Sequence, residues 1–313
     1  MNRRTFLKGA TSVAAGMFLG ACSKKSGFAA VTGIAPRKLR KNSLKSGLFV
    51  AEGKDPKAMI RAAMKEIGGL ESLIKKGDTV VVKPNIGWDR TPDQAANTNP
   101  ELIKELVTMC FKAGAKTVKV FDRTCNDAKR CYKNSGIGKA AEEAGAKVDY
   151  VSESSSFYDV VTAPDAVTLK TWSVYQDIMK ANVVINVPIL KHHGISGMTI
   201  GMKNLMGIIG GDRGEIHQGI DENLPDLTRI IPVELVVVDA CRILTRNGPQ
   251  GGNKEDVRMG NQIIVSTNPV MADAYAAKLF GIDPSKAGFL KVASEQGLGE
   301  INVNKMKIKK IKV

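Results

Sequence analysis

Short β-branched apolar runs recur along the chain: Thr79 to Lys83, Lys116 to Phe121, Lys147 to Val151, Val183 to Val187, Leu235 to Val238 and Gln262 to Ser266. Runs of this length read as strands, and the fully apolar ones as strands buried on both faces. Between them the apolar spacing becomes helical. Asn99-Pro100-Glu101 marks a helix start, with asparagine as N-cap, proline in the first turn and an acid behind it. Leu102, Leu106, Met109 and Cys110 then share one face. Asn268-Pro269 repeats the start signal for a helix through Phe280, and a further helix runs from about Ile137 to Ala144, before Gly145. Tyr158 to Lys170 reads as irregular or as an inserted hairpin, Ser173 to Ala181 as helix, and Met306 to Val313, alternating apolar residues with lysine, as an edge strand. The order predicts an α/β fold: mostly parallel sheet with helices on both faces, in one large or two interlocked α/β domains.

The amino terminus changes that picture. Arg3-Arg4 followed by Phe6-Leu7-Lys8 resembles the twin-arginine export signal, and the apolar stretch from Ala10 to Ala21 is too short to span a bilayer. It ends in Leu19-Gly20-Ala21-Cys22, which resembles a lipobox. The expectation is a signal peptide over residues 1–21, a Ser-, Lys- and Gly-rich tether over 22–45 and the α/β domain over 46–313. The protein would meet the twin-arginine translocase during export. It would then sit on the periplasmic or cell-surface side, held to the membrane by a lipid on Cys22.

Charge adds a second constraint. Lys and Arg number 46 against 31 Asp and Glu, a formal net charge of +15. The excess is spread along the chain with few aromatics interleaved, which disfavours a nucleic-acid partner and suits anionic lipid or a small anionic molecule. Cys110, Cys125, Cys131 and Cys241 form no C-x-x-C pair, so no ferredoxin-type iron–sulfur motif is present. Cys125 and Cys131 are close enough in sequence for a disulfide in an oxidising compartment, whereas Cys110 and Cys241 read as buried thiols.

All three histidines, His192, His193 and His217, fall in one segment that opens on the Val183 to Val187 strand. Glycines at 194, 197, 201, 207, 210, 211 and 214 allow close backbone approach to a ligand, and Lys191 and Lys203 add positive charge. The histidines suit a divalent metal or acid–base work. A blander reading makes them strand caps and the glycines loop punctuation. Lys83, at the exit of a buried strand, is either aimed into the ligand crevice of an open sheet or a lysine reaching for solvent. Asn247 to Gly252 is a turn suited to close over a ligand. Asp239 ends a buried strand, and Asp273 lies in an alanine-rich helix where a carboxylate needs a partner.

The motifs V-V-V-K-P-N, I-N-V-P-I-L-K-H-H, M-T-I-G-M-K-N-L-M-G, G-P-Q-G-G and N-P-V-M-A-D-A-Y-A-A-K-L-F-G, in order from about residue 78 to 300, resemble the family called domain of unknown function 362. A second resemblance is to the lactate-racemase type, in which a histidine, a glycine-rich stretch, a cofactor-bearing lysine and a nickel-binding histidine follow one another. His193, Gly197, Gly201, Lys203 and His217 stand in that order here. This resemblance implies His193 as acid/base, Lys203 as holder of a nickel-type organometallic cofactor and His217 as metal ligand. It departs where that type has another catalytic histidine after an earlier strand, since this chain has Asp122-Arg123-Thr124.

The candidate site is then His193, Lys191 and Asp239 for catalysis, with Lys83, Asn85, Lys203, Asn204 and Gly207 for cofactor binding and His192 and His217 for metal. The expected function is that of an isomerase- or racemase-like enzyme on a small anionic substrate; the other readings are a lipid-anchored anion-binding protein and an assembly factor.

Overall fold

The structure is a computed structural model that describes residues 33–313. The segment expected as export signal, and Cys22 with it, lies outside the described residues. β1 (Leu48–Glu52) leads into α1 (Pro56–Ile67), started by Asp55, which accepts the Lys57 amide, and by Pro56 in the first turn. There follow β2 (Thr79–Pro84), α2 (Pro100–Lys112), β3 (Thr117–Val120), α3 (Ala128–Asn134), α4 (Ile137–Glu143) and β4 (Lys147–Val148). β5 (Tyr158–Thr162) and β6 (Thr171–Tyr175) make a separate antiparallel hairpin, and α5 (Gln176–Lys180) returns the chain to the sheet. β7 (Val183–Val187) passes through Pro188 into β8 (Ile189–His193), and β9 (Gly197–Thr199) folds back on β8. The remaining elements are α6 (Gly201–Asn204), α7 (Ile220–Ile230), β10 (Leu235–Leu244), β11 (Val257–Ser266), α8 (Pro269–Phe280), α9 (Gly288–Glu295) and β12 (Ile308–Lys312).

The main sheet has ten strands in the order β12-β1-β11-β10-β7-β2-β3-β4, with β8 added beside β10 and β9 beside β8. The β4-β3-β2-β7-β10 half is parallel throughout, and β11 is antiparallel to both of its neighbours. Alternate side chains feed two cores. Val81, Val184, Val236 and Ile264 pack with α7, α8 and α9, while Val80, Val82, Val183, Leu235 and Val265 pack with α1, α2 and α4. Period-two alternation with both faces apolar is why these strands read as continuous valine and isoleucine runs. The fold is mixed α/β with a large, mostly parallel sheet flanked by helices.

Four expectations need correction. Ser173 to Tyr175 is strand, so the helix there starts only at Gln176. The third strand of the parallel run covers Lys147–Val148 rather than reaching Val151. β10 does not end at Asp239 but continues to Leu244, because that carboxylate is satisfied sideways, by the amides of Asn99 at 2.7 Å and Cys241 at 3.0 Å. The stretch expected as tether is docked from Gly33 onward. Ile34 bridges Val161, and Arg37 forms a buried bidentate pair with Glu234.

The chain runs from β2 outward through β3 to β4, then returns to lay β7 on the opposite side of β2. That reversal is a topological switch point, and a crevice opens there at the carboxyl ends of the strands.

Candidate functional site

A cavity of about 460 Å³ occupies this crevice. Lys83 and Asn85 reach it from the end of β2, Asp122 and Arg123 from the end of β3, and Lys191 and His193 from β8. Residues 191 and 193 are two apart on one strand and so share a face, while His192 between them faces the other way. His192 does not line the cavity; its Nδ1 accepts the Gly248 amide at 3.1 Å. This ties down the Asn247 to Gly252 turn, which contributes Pro249 to the cavity wall. Asp239 is likewise outside the cavity, holding the N-cap of α2 through the Asn99 amide.

The opposite wall is α6 and the segment after it. α6 starts where it does because the Asp273 carboxylate accepts the amides of Gly201 and Met202, at 2.8 and 2.9 Å. Burial pushes the Asp273 carboxyl up to about 7, against those two bonds. A Cβ at Gly201 would lie 2.7 Å from the Asp273 carboxylate, which explains the glycine. This start presents Lys203 and Asn204 to the cavity. The Asn204 side chain donates to Asn186 Oδ1 at 2.8 Å and accepts from Asn85 at 3.0 Å, and its carbonyl receives Lys83 Nζ. Gly207 then passes so close that a Cβ there would sit 1.8 Å from Asp122 Oδ1 and 2.6 Å from Lys83 Nζ.

Three buried lysines therefore meet in one cavity, in unlike surroundings. Lys83 is paired with Asp122, Nζ to Oδ1 at 3.0 Å, in an orientation suited to charge pairing more than to a hydrogen bond. Burial still pushes its amine below the ordinary lysine value, against the pull of Asp122. Lys191, 1% exposed, donates to Asn85 Oδ1 at 3.1 Å and to the Ala96 carbonyl. Burial, with Lys203 and Lys83 nearby, brings it down to about 7. Lys203 lies 2.9 Å from His217 Nε2 and 3.5 Å from Met206 Sδ, and burial lowers it to about 8. Among the described residues, neither Lys191 nor Lys203 has a carboxylate partner.

The hydrogen bonds also set the imidazole tautomers. His217 Nδ1 faces the Gly214 carbonyl at 3.3 Å, so the proton sits there and Nε2 accepts from Lys203. His193 Nδ1 accepts the amides of Ile195 and Ser196, at 3.2 and 3.4 Å, leaving Nε2–H as a donor. The two rings stack with centroids 5.7 Å apart. Burial lowers both, His193 to about 3, and the Lys203 charge acts in the same direction.

Residues that sequence reasoning missed complete the wall. Arg213 donates to the carbonyls of Arg123 and Thr124, each at 2.7 Å, and to Cys125 Sγ at 3.3 Å. The buried Thr199 hydroxyl has no partner among the described residues. Both stand inside the histidine segment, but nothing in their spacing sets them apart from their neighbours. Cys125 is exposed at the cavity and Cys131 is buried, both as free thiols. Among the described residues, no three His, Cys, Asp or Glu side chains gather as a metal site, and no helix is long and apolar enough to cross a membrane.

These features define a class: a doubly wound α/β protein with a cation-lined cavity at its switch point. The chain belongs to the family described as domain of unknown function (DUF362), whose profile matches residues 80–278. It is similar to the thylakoid-associated protein sll1697 of Synechocystis sp., at 24% identity over 275 residues, which cover 83% of this chain and 78% of that protein. Among solved structures it is similar to the lactate racemase apoprotein from Thermoanaerobacterium thermosaccharolyticum, with a TM-score of 0.46 and 10% identity. That match covers 84% of this chain and 61% of the racemase chain, so the chain spans about three-fifths of that protein's length.

Proposed function

We propose that the cavity is the active site of an enzyme that binds a small carboxylate and moves a proton on a carbon near it, in the manner of an isomerase or racemase. The observation that carries this reading is that Lys191 and Lys203 share the cavity with two neutral imidazoles and no acid of their own. A site built only to hold an anion gains from amines that stay charged, whereas amines poised at about 7 and about 8 can give and take protons near neutrality. In this reading Arg213 supplies standing positive charge, while Lys83 is balanced by Asp122 and Arg123 by Glu153. His193 Nε2–H and the Thr199 hydroxyl donate to substrate oxygens, and Lys203, oriented by His217, is the base.

Two neutral imidazoles and a lysine make a poor set for a bare divalent ion, because His217 Nε2 is already engaged by Lys203. A group carried covalently on Lys203 would be held by Lys203 and His217, and in that form Lys203 would no longer be the base. An organometallic group of that kind would supply an electron-accepting centre.

The test is anion binding followed by hydrogen exchange. Oxalate, lactate and malate are expected to raise the melting temperature, and at least one carbon acid among them to exchange its C–H for deuterium in D2O. Loss of exchange in Lys203→Met with retained anion binding supports the assignment. Absence of any melting shift overturns it. The alternative, an anion-binding protein without catalysis, is favoured by the Arg123 and Arg213 rim and predicts a melting shift with no exchange in the parent.

We infer from the amino terminus that the protein is exported and lipid-anchored through Cys22. Cys22→Ala is expected to move it from the membrane to the soluble fraction; unchanged membrane association removes this inference.

A further inference from the structure

We propose that Lys191 is a covalent catalyst whose amine condenses with the carbonyl of a small 2-oxo acid to form an imine. This rests on the reading of the cavity as a carboxylate-binding active site, and it names the substrate class.

The argument starts from hydrogen-bond stoichiometry. A neutral primary amine has two N–H donors and one lone pair, whereas an ammonium has three donors. Lys191 Nζ has two acceptors, Asn85 Oδ1 at 3.1 Å and the Ala96 carbonyl at 2.5 Å. Among the described residues it has no third, and no carboxylate. The environment is therefore complete for the neutral amine and one acceptor short for the charged one. With both N–H groups held by the protein, the lone pair is the remaining tetrahedral direction, and Lys191 lines the cavity. Lys83 is the contrast in charge: its amine faces the Asp122 carboxylate as well as the Asn204 carbonyl, whereas Lys191 meets only neutral acceptors. A lysine desolvated and set beside other cations is the standard arrangement for an amine nucleophile toward carbonyl carbon.

Two further features fit a 2-oxo acid. The unpartnered Thr199 hydroxyl and the His193 Nε2–H line the same cavity, and both are donors suited to a carboxylate oxygen. The amine itself sits on β8, whose antiparallel pairing with β9 in register Lys191 to Thr199 holds it on a strand rather than on a loop.

The chemistry balances without a redox partner. Lys191 Nζ attacks the carbonyl carbon, the C–N bond forms and the carbonyl oxygen takes a proton. The carbinolamine hydroxyl then takes a second proton, from the Lys203 ammonium, and leaves as water, so that the nitrogen lone pair forms a C=N bond that keeps its N–H and positive charge. The iminium acidifies the neighbouring C–H. When Lys203 accepts that proton, the C–H electron pair becomes the C=C bond of an enamine, and the C=N pair returns to nitrogen. Reprotonation from either side and hydrolysis regenerate the amine and the 2-oxo acid.

The experiment is reductive trapping on the full chain. Protein is incubated with pyruvate, or separately with 2-oxobutyrate, and sodium cyanoborohydride, then digested and mapped by mass spectrometry. The expected result is an N-carboxyalkyl group confined to Lys191, lost when oxalate is added and lost in Lys191→Met. Oxalate protection is read on the parent protein, so the test holds even if the variant misfolds. Adducts scattered over surface lysines, or placed on Lys203 with Lys191 unmodified, overturn the proposal. If oxalate raises the melting temperature but neither 2-oxo acid leaves an adduct at Lys191, the imine is wrong and the carboxylate site stands. If oxalate has no effect either, both readings fall.

Discussion

Charge is buried at both ends of the central strands, and the two ends treat it in opposite ways. At the amino ends of β7 and β10, Arg37 pairs with Glu234 at 2.9 and 3.0 Å, and its guanidinium also donates to the carbonyls of Pro232, Ala181 and Asn182. Glu234 in turn accepts the Val184 and Arg40 amides. Charge and hydrogen bonds nearly close within the protein, as a structural clamp requires. At the carboxyl ends, Lys83 pairs with Asp122 and, at the rim, Arg123 pairs with Glu153 at 3.2 Å, while Lys191 and Lys203 have no carboxylate partner among the described residues. There two buried amines have no acid partner, and any proton they take up is left unbalanced by the protein. A buried pair that closes on itself signals architecture. A buried excess of one sign signals a missing counter-charge, which a ligand brings.

Four experiments would break or sharpen this contrast. The largest effect is expected at the closed end: Arg37→Ala strands Glu234 and should lower the unfolding free energy by about 3–5 kcal/mol in urea titrations. Next is Gly207→Ala, whose methyl group drives into Asp122 and Lys83. It should cost about 1–3 kcal/mol through overpacking and remove the melting shift given by oxalate. Third, Lys191→Met removes a desolvated amine that has no acid partner, so its stability should stay within about 1 kcal/mol of the parent, or rise, while activity is lost. A loss as large as that of Arg37→Ala would show that the open end is structural after all.

The smallest effect is in pH. Lys191 folds with its amine near 7 against an ordinary 10.5, and Lys203 near 8. Between those values and 10.5 the unfolded chain binds more protons, so the contribution of these groups to stability rises with pH across that window. An anion is held more tightly beside protonated Lys191 and Lys203 than beside their neutral forms, so the oxalate melting shift should shrink without vanishing as pH rises through about 7 to 8. Opposite slopes for free and oxalate-bound protein in a pH series of melting curves are the expected signature; parallel slopes would detach the lysines from the ligand.

Much of the fold was legible because its strands are apolar on both faces and its helices open with a capping side chain and a proline. Asn99-Pro100 and Asn268-Pro269 were read this way, and Asp55-Pro56, which starts α1, follows the same rule although it went unread. α3 was missed because its seven residues carry only two buried side chains and leave no periodic stripe. The clustering of the candidate residues was legible in outline: Lys83, Asn85, Lys191, His193, Lys203, Asn204, Gly207 and His217 all line one cavity. His192 and Asp239 could not be sorted from these by composition. Strand alternation turns His192 away, and Asp239 is absorbed by backbone amides that belong to a distant helix start and to its own strand. Arg213 and Thr199 were invisible for a related reason, since their importance lies in what they do or do not contact across the cavity.

Arg37 has a mechanical consequence. Its bonds reach the chain just ahead of β7 and β10, two strands in the middle of the sheet, whereas β12 and β4 form its ends. A pull applied to the chain ahead of residue 33 would meet the Ile34–Val161 bridge and then this clamp before reaching β1, two strands out from β10 toward the β12 edge. The load would enter at the best-supported strands and would not peel the sheet from its border. A protein held by its leading end could take such strain with its cavity undisturbed, because the clamp and the cavity lie at opposite ends of the same strands.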